Sequence, residues 1–539
     1  MTRATAPPRG RVRDLLPLSI VLALVLARAW FLFRYPVDSD EAQHLHVIYG
    51  WLNGEIPYRD RFDNHTPLFH LLFIPFAAWA GETPDVVLWA RVAQIPLSFL
   101  LPALVLWLGV RLFDRRTALW GTALSLAFAD WSLKSLEFRP DVLWTGLWLA
   151  ALIVLARSER GRAGGRFFGV GLILGAALTA SIKTTFLGVG LLLGWGITWL
   201  AVRDFREQFP PRRIVLGMVA GGAGFLVVPA IVFGGFILED AGVAMKFCLF
   251  EVNRPDPPGW RALWFLLGMP IASALVLWQA GRWHEHRGVR VAILLSAAAY
   301  ALLVAGFSPS SKKQTFLPAY PVLFLGLAAA TERLRGRDVV LGAACVGLAV
   351  HQVFEATPWR DGMAPQRELL ADVLALSRPG EAVMDLKGET VFRDRPVYLA
   401  YVLATTRGVE AGRLEDAKAE TLFSMSAVAA VRDGAGFPGQ MRKFLKDFYV
   451  PAGAGWLRVP GQVLKPSWEN GDWIERVDVP VAGEYVILKD GECVDEVVVS
   501  NPGPQVFNFG TDRSRRLLYW KRAWEAGYPP KFDEIGALP

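Results

Sequence analysis

Cysteine is scarce in this 539-residue chain, which has three. Cys345 falls inside an apolar run, so only Cys248 and Cys493 could pair, and then only if both segments face an oxidising compartment. A disulfide framework and a zinc-binding spacing are both missing. Missing too are a Walker loop and a dinucleotide fingerprint, so nothing signals nucleotide-driven chemistry. No internal repeat is present, which excludes a solenoid, and no low-complexity tract occurs beyond a basic tail at 1–14. The excess of basic residues is small, 57 Lys+Arg against 50 Asp+Glu for a net +7. Those residues cluster in short loops between apolar runs, so the pI of about 9.3 reflects membrane topology and not nucleic-acid binding.

What the chain has in quantity is apolar sequence: 53% of residues are hydrophobic and the mean hydropathy is +0.32. The apolar residues lie in long runs, the pattern of a polytopic α-helical membrane protein. A helix that spans the hydrocarbon needs roughly 20 apolar residues. That requirement yields about eleven transmembrane helices, near 15–34, 86–112, 117–134, 142–157, 167–182, 184–202, 214–236, 261–280, 290–307, 316–331 and 338–353. The first follows a basic tail in signal-like order, but it has spanning length and no small-residue cleavage site follows, so it reads as a retained helix. The stretch 68–80 is too short and reads as interfacial or re-entrant. With that assignment "RGRVR", "RLFDRR", "RSERGRAGGR", "RDFREQFPPRR", "GRWHEHRGVR" and "ERLRGRD" all fall on one side, which is therefore cytoplasmic.

Every long or acidic connection then faces outward, including 36–85 and everything after 354. Beyond that point hydropathy drops and turn residues rise. "LLADVLALSRPGEAVMDLKG" opens a soluble α/β domain over 355–465. Alternating apolar and polar residues, broken by "AGE", "KDGE" and "NPGP", mark a small antiparallel β unit with a C-terminal tail over 466–539.

The densest chemistry lies in "DSDEAQHLHVIYGWLNGEIPYRDRFDNHTPLFH", residues 38–70, with six acidic side chains and four of the chain's seven histidines. Asp38 and Glu41 have capping-box spacing at the start of a helix over 39–53, and Gly54 suits its end. Asp40 is not needed for the cap and shares a face with His44, which makes it the better chemical candidate. Pro57 and Pro67 then bracket an extended stretch with Tyr58, Arg59, Asp60, Asp63 and His65. Its aromatic residues are of the kind that stack on sugar rings or anchor at a membrane interface.

The pattern "DSDEAQHLH…GEIPYRDRFDNHTPL", followed by "RLFDRR" and "EFRPDVL", resembles the polyprenyl-phosphate-sugar-dependent transferases of the C-type glycosyltransferase superfamily. The nearest branch is the bacterial one that resembles protein O-mannosyltransferases and the lipid A aminoarabinose transferase. The resemblance covers roughly 15–200 well, the later helices in outline, and the soluble part by position. It implies that Asp40 stands near the acceptor nucleophile with Glu41 beside it. It also implies that "DNHTPL", with Asp63, occupies the second loop motif. The family carries a Glu-Lys pair there; Asn64 and His65 stand in its place, so His65 or another cation takes over the lysine's contact. Asp141, in "RPD", takes the place of a further acidic residue.

The chemistry this implies is one displacement at an anomeric carbon, with inversion. The leaving phosphate is already a weak base and needs no general acid. A carboxylate, Asp40, orients and deprotonates the acceptor hydroxyl, while cations stabilise charge growing on the phosphate. Lys183, between two apolar runs, calls for an anionic partner. Arg139, Arg254, Lys312 and Lys313 are further cations on the outward face. Asp40, His44, His46, Asp63 and His65 could together supply metal ligands, but their spacing matches no compact motif, and no cofactor is expected to be required. The expected partners are a polyprenyl-phosphate-linked sugar, a lipid, glycan or protein acceptor, and the bilayer of a bacterial cytoplasmic membrane. Two other readings are a lipid or glycan transporter and a membrane-anchored carbohydrate-binding protein. The first is disfavoured because the charges gather at one face, the second because eleven spans are excessive for an anchor.

Overall fold

The computed structural model describes residues 14–157, 163–253, 287–307, 312–415, 428–430, 437, 439–453 and 457–531. The chain divides into two compact units, one of Met1–Val37, Asn64–Phe73 and Leu88–Met363, the other of Asp38–Asp63, Ile74–Val87 and Ala364–Pro539. The longer helices, in chain order, are α1 (Leu15–Leu32), α2 (Ser39–Leu52), α3 (Leu68–Ala80), α4 (Val86–Ala93), α5 (Ile95–Leu112), α6 (Arg115–Ala127) and α7 (Pro140–Leu155). They continue with α8 (Ala163–Ala180), α9 (Thr184–Ala201), α10 (Pro211–Leu238), α11 (Arg287–Phe307), α12 (Tyr320–Ala330), α13 (Arg337–Ala356) and α14 (Ala364–Leu376).

The first unit is a multi-span helical bundle. Among the described residues, six helical segments are long and apolar enough to cross a membrane: α1, α4 running into α5, α9, α10, α11 and α13. Four shorter apolar helices, α3, α7, α8 and α12, accompany them. The expected span at 261–280 lies outside the described residues. The one expected at 117–134 departs from the sequence reading, because α6 stops at Ala127 where Phe128 turns to extended backbone (φ −76°, ψ 116°). Helix α6 is buried over Thr117–Ala127 and packs against α1, α5, α12 and α13, so its length answers to protein neighbours and not to bilayer thickness.

The bundle core is aromatic, with Trp120, Trp131, Trp144 and Trp148 fully buried. Helices α8 and α10 meet through glycine. A Cβ at Gly171 would lie 1.9 Å from the Gly221 carbonyl oxygen, and one at Gly224 would lie 2.1 Å from that of Phe168. Apolar side chains gain nothing from leaving lipid, so close backbone approach through small residues holds such helices together. Outward apolar residues such as Leu26 and Ile231 are left for lipid.

The second unit is layered. Its main sheet has seven strands: β1 (Val383–Met384), β2 (Val428–Ala430), β3 (Tyr449–Ala452), β4 (Leu457–Leu464), and, after a second sheet's strands, β7 (Gly483–Lys489), β8 (Glu492–Val499) and β10 (Arg516–Trp520). The small sheet is β5 (Ser467–Glu469), β6 (Asp472–Val479) and β9 (Gly503–Asn508). The main sheet runs β1-β2-β4-β10-β7-β8, with β3 also on β4; β1 and β2 are parallel and the other pairs antiparallel. Alternation separates its faces. Val486, Leu488, Leu517 and Tyr519 meet Leu369, Val373 and Leu376 of α14. Tyr485, Ile487 and Leu518 meet Val479 and Phe507 of the small sheet.

The "KDGE" turn joins β7 to β8 with Asp490 and Gly491 at φ 51° and 86°, and Asn470-Gly471 joins β5 to β6 in the same way. Strand β4 pairs with β10, so the segments expected as separate parts at 355–465 and 466–539 contribute to one sheet. Among the described residues the three cysteines form no disulfide: Cys248 and Cys345 are buried, and Cys493 is exposed.

Candidate active site

Within the second unit the acids of the first loop separate by role. Asp38 caps α2: its Oδ1 accepts from the Asp40 amide at 3.0 Å, and Glu41 Oε1 accepts from the Asp38 amide at 3.0 Å. Gly54 follows the helix with φ 85°. Glu41 is fully buried in this box, whereas Asp40, one position earlier and 7% exposed, accepts a hydrogen bond from Lys387 Nζ.

Lys387 lies in the loop "DLKGETVFRDR", 385–395, which grips α2. Asp385 ties the loop to itself, its carboxylate accepting from the Gly388 and Thr390 amides, each at 3.0 Å, and from Thr390 Oγ1 at 2.8 Å. Burial pushes the Asp385 carboxyl up from its ordinary range even though Arg395 opposes it, and burial followed by the Asp385 charge does the same to Glu389. Gly388 has φ 110°, and a Cβ there would come 2.6 Å from the His46 Cβ. Val391 has φ 54°, a left-handed conformation that costs a β-branched residue on the order of 1–3 kcal/mol and persists only when its surroundings enforce it. Its carbonyl lies 3.0 Å from His46 Nδ1. Arg61 closes the arrangement, bonding His46, Glu55 and Asp394.

The first unit holds a second cluster, where chain reversals bring polar residues to the ends of α7 and α9. Arg139 caps α7 and Asp141 sits in its first turn, where the helix dipole favours an anion. A line of alternating charge runs from Lys134 to Glu137 (2.5 Å), Glu137 to Arg139 (3.6 Å), Arg139 to Asp141 (3.2 Å) and Asp141 to Lys183 (3.1 Å). Gln94 braces it, accepting from the Arg139 amide at 3.2 Å and donating to the Glu137 carbonyl at 2.7 Å. Lys183 also lies over the Trp144 ring at 5.7 Å. His65 is half-buried and belongs to the same unit. The anionic partner that the sequence demanded for Lys183 is thus Asp141.

The remaining sequence candidates are placed otherwise. Tyr58 is fully buried at φ 72°, its carbonyl accepting from the Tyr398 hydroxyl, so it offers no ring face for stacking. Arg59 is exposed and paired with Asp60 at 2.8 Å. Asp63 is fully buried. Lys312 is exposed, and Lys313 pairs with Asp130 at 2.8 Å and Glu355 at 2.5 Å. Among the described residues, no group of three or more His, Cys, Asp or Glu side chains is arranged to hold a metal ion. Sequence reasoning missed Lys387, Arg61 and Glu137. The first two act across hundreds of residues or through a fold-dependent turn, and the third was signalled only by its place beside Arg139 and Asp141 in "EFRPDVL".

No family model matches the chain. No curated protein matches it either. Among solved structures it is similar to ArnT from Cupriavidus metallidurans bound to undecaprenyl phosphate, with a TM-score of 0.53 and 16% identity over 84% of this chain and 98% of that one. Apo ArnT from the same organism gives a TM-score of 0.55 and 16% identity over 82% of this chain and 97% of that one. The Archaeoglobus fulgidus oligosaccharyltransferase complexed with zinc and sulfate gives 0.47 and 11% identity over 80% and 71%. The chain has an ArnT-like fold.

Proposed function

We propose that the chain is an integral-membrane glycosyltransferase that moves a sugar from a polyprenyl-phosphate carrier to a hydroxyl of a lipid, glycan or protein outside the cytoplasm. The observation that carries this reading is the ArnT-like fold, which extends over 84% of the chain and 98% of a structure that holds undecaprenyl phosphate. The charge pattern of the loops supports a bacterial cytoplasmic membrane protein of about eleven spans, with its N-terminus inside and its soluble part outside.

In this reading Asp40 accepts the proton of the acceptor hydroxyl as that oxygen attacks the anomeric carbon. The bond to the phosphate oxygen breaks, its electron pair leaves with the phosphate, and the configuration inverts. The cluster around α7 supports a role for Arg139 and Lys183 at the departing phosphate. Lys134, Arg139 and Lys183 pair with Glu137 and Asp141 and gather positive charge at the ends of α7 and α9, the kind of charge that stabilises a departing phosphate. This scheme draws on a carboxylate and cations, so transfer proceeds in the presence of a chelator.

The test is transfer from a labelled polyprenyl-phosphate sugar by the purified full chain, with lipid, glycan and peptide acceptors. Asp40→Asn is expected to lower kcat about 100-fold or more, the usual scale for a general base. Full activity in that variant would remove the assignment. Passage of labelled lipid across vesicles with no sugar transferred would make the chain a transporter instead.

A further inference from the structure

We propose that Lys387 is a positioning residue for Asp40, so that the soluble segment completes the base side of the transferase site; this rests on the assignment of Asp40 as base. The ion pair is well shielded, with side-chain exposures of 12% for Lys387 and 10% for Asp40, so solvent and salt screen it little. Lys387 is also not a freely swinging lysine. Its amide donates to Glu389 Oε2 at 2.9 Å, and the Glu389 carbonyl accepts from Gln366 at 2.8 Å. The next residue, Gly388, is pressed against His46 and has no room for a side chain. Strained backbone at Val391 completes a loop whose shape is enforced from all sides, the kind of backbone that clusters at functional sites.

The chemistry decides which side of the reaction Lys387 serves. In a single inverting displacement the nucleophile and the leaving group lie on opposite sides of the anomeric carbon. A cation bonded to the base carboxylate is therefore on the acceptor side and does not hold the departing phosphate. The acceptor proton passes to Asp40, the phosphate takes the electron pair of the broken bond, and Lys387 takes no part in the proton transfer. A cation at this place makes a carboxylate a weaker base, so its gain is orientation of the carboxylate toward the acceptor hydroxyl. Those two effects have opposite signs and separate in a pH–rate profile.

The experiment measures kcat, donor KM and the pH–rate profile of full-length wild type, Lys387→Met and Lys387→Arg, with protease protection of 385–395 as a check on the fold. Lys387→Met is expected to lower the maximal kcat about 10-fold or more, leave donor KM within about twofold, and move the acid limb of the profile to higher pH. Lys387→Arg is expected to recover most of kcat and the wild-type acid limb, and it decides the case if Lys387→Met loses protease protection. Wild-type kinetics in Lys387→Met, a rise in donor KM that accounts for the loss, or a folded but inactive Lys387→Arg would each overturn the proposal. If Asp40→Asn is inactive while Lys387→Met behaves as wild type, only the Lys387 assignment falls. If wild type transfers nothing from any polyprenyl-phosphate sugar, the transferase reading falls and takes this proposal with it.

Discussion

His46 shows how one side chain can hold a loop and also limit its range of conditions. Burial, then the charges of Arg61 and Arg395, keep its imidazole well below the usual 6.5, so the ring is neutral. A neutral ring lets Nδ1–H donate to the Val391 carbonyl while Nε2 accepts from Arg61. A histidine whose folded value is depressed contributes stability that is fully present above the unfolded value, about pH 6.5, and is lost as pH falls below it. Asp385 and Glu389, raised by burial, change in the opposite sense, so the histidine term is isolated by difference. Protease protection of 385–395 is expected to fall between pH 7 and 5 in wild type more steeply than in His46→Gln; equal slopes would exclude His46 as the cause. Sequence made part of this region legible. Asp38 and Glu41 read as a cap because capping is local, and Asp40 stood out by subtraction. Lys387 could not be read, since its partner lies 347 positions away and a pairing at that range leaves no periodic trace.

At the scale of elements, the helices were legible because lipid imposes length and apolarity together. Where protein replaced lipid as the neighbour, as around α6, that rule lost its hold and the end at Ala127 was not foreseen. The hairpin turn at Asp490-Gly491 was visible from chemistry that demands positive φ. The three-residue β5 was too short to show alternation, and the pairing of β4 with β10 depends on contacts some 50 residues apart. The contact between α8 and α10 gives this scale its test. Gly224→Leu would drive a side chain into the Phe168 carbonyl, and overpacking of this kind costs typically about 1–3 kcal/mol. The thermal midpoint of the purified chain is expected to drop, whereas Gly222→Leu on the same helix, where a Cβ meets nothing within 4 Å, is expected to change it little.

At the scale of the whole molecule, sequence reading expected a soluble segment after residue 354 but did not foresee that Asp38–Asp63 and Ile74–Val87 belong to the same compact unit as Ala364–Pro539. Composition marks where a soluble segment begins; it carries no record of which distant loop completes it. Expressed alone, 364–539 would lack the helix that covers its loop at 385–395. It is expected to be cut there by protease, and co-expression with a fragment carrying 1–363 is expected to restore protection. A fragment that resists protease alone would show that the loop holds its shape without α2. The interval between these segments also sets a timetable for synthesis. About 300 residues separate Asp63 from Ala364, and at roughly 5–20 residues per second the ribosome needs on the order of 15–60 s to make them. Throughout that interval Asp40, His46 and Arg61 have left the ribosome before Lys387, Val391 and Asp394 exist. The second unit therefore closes only near the end of translation.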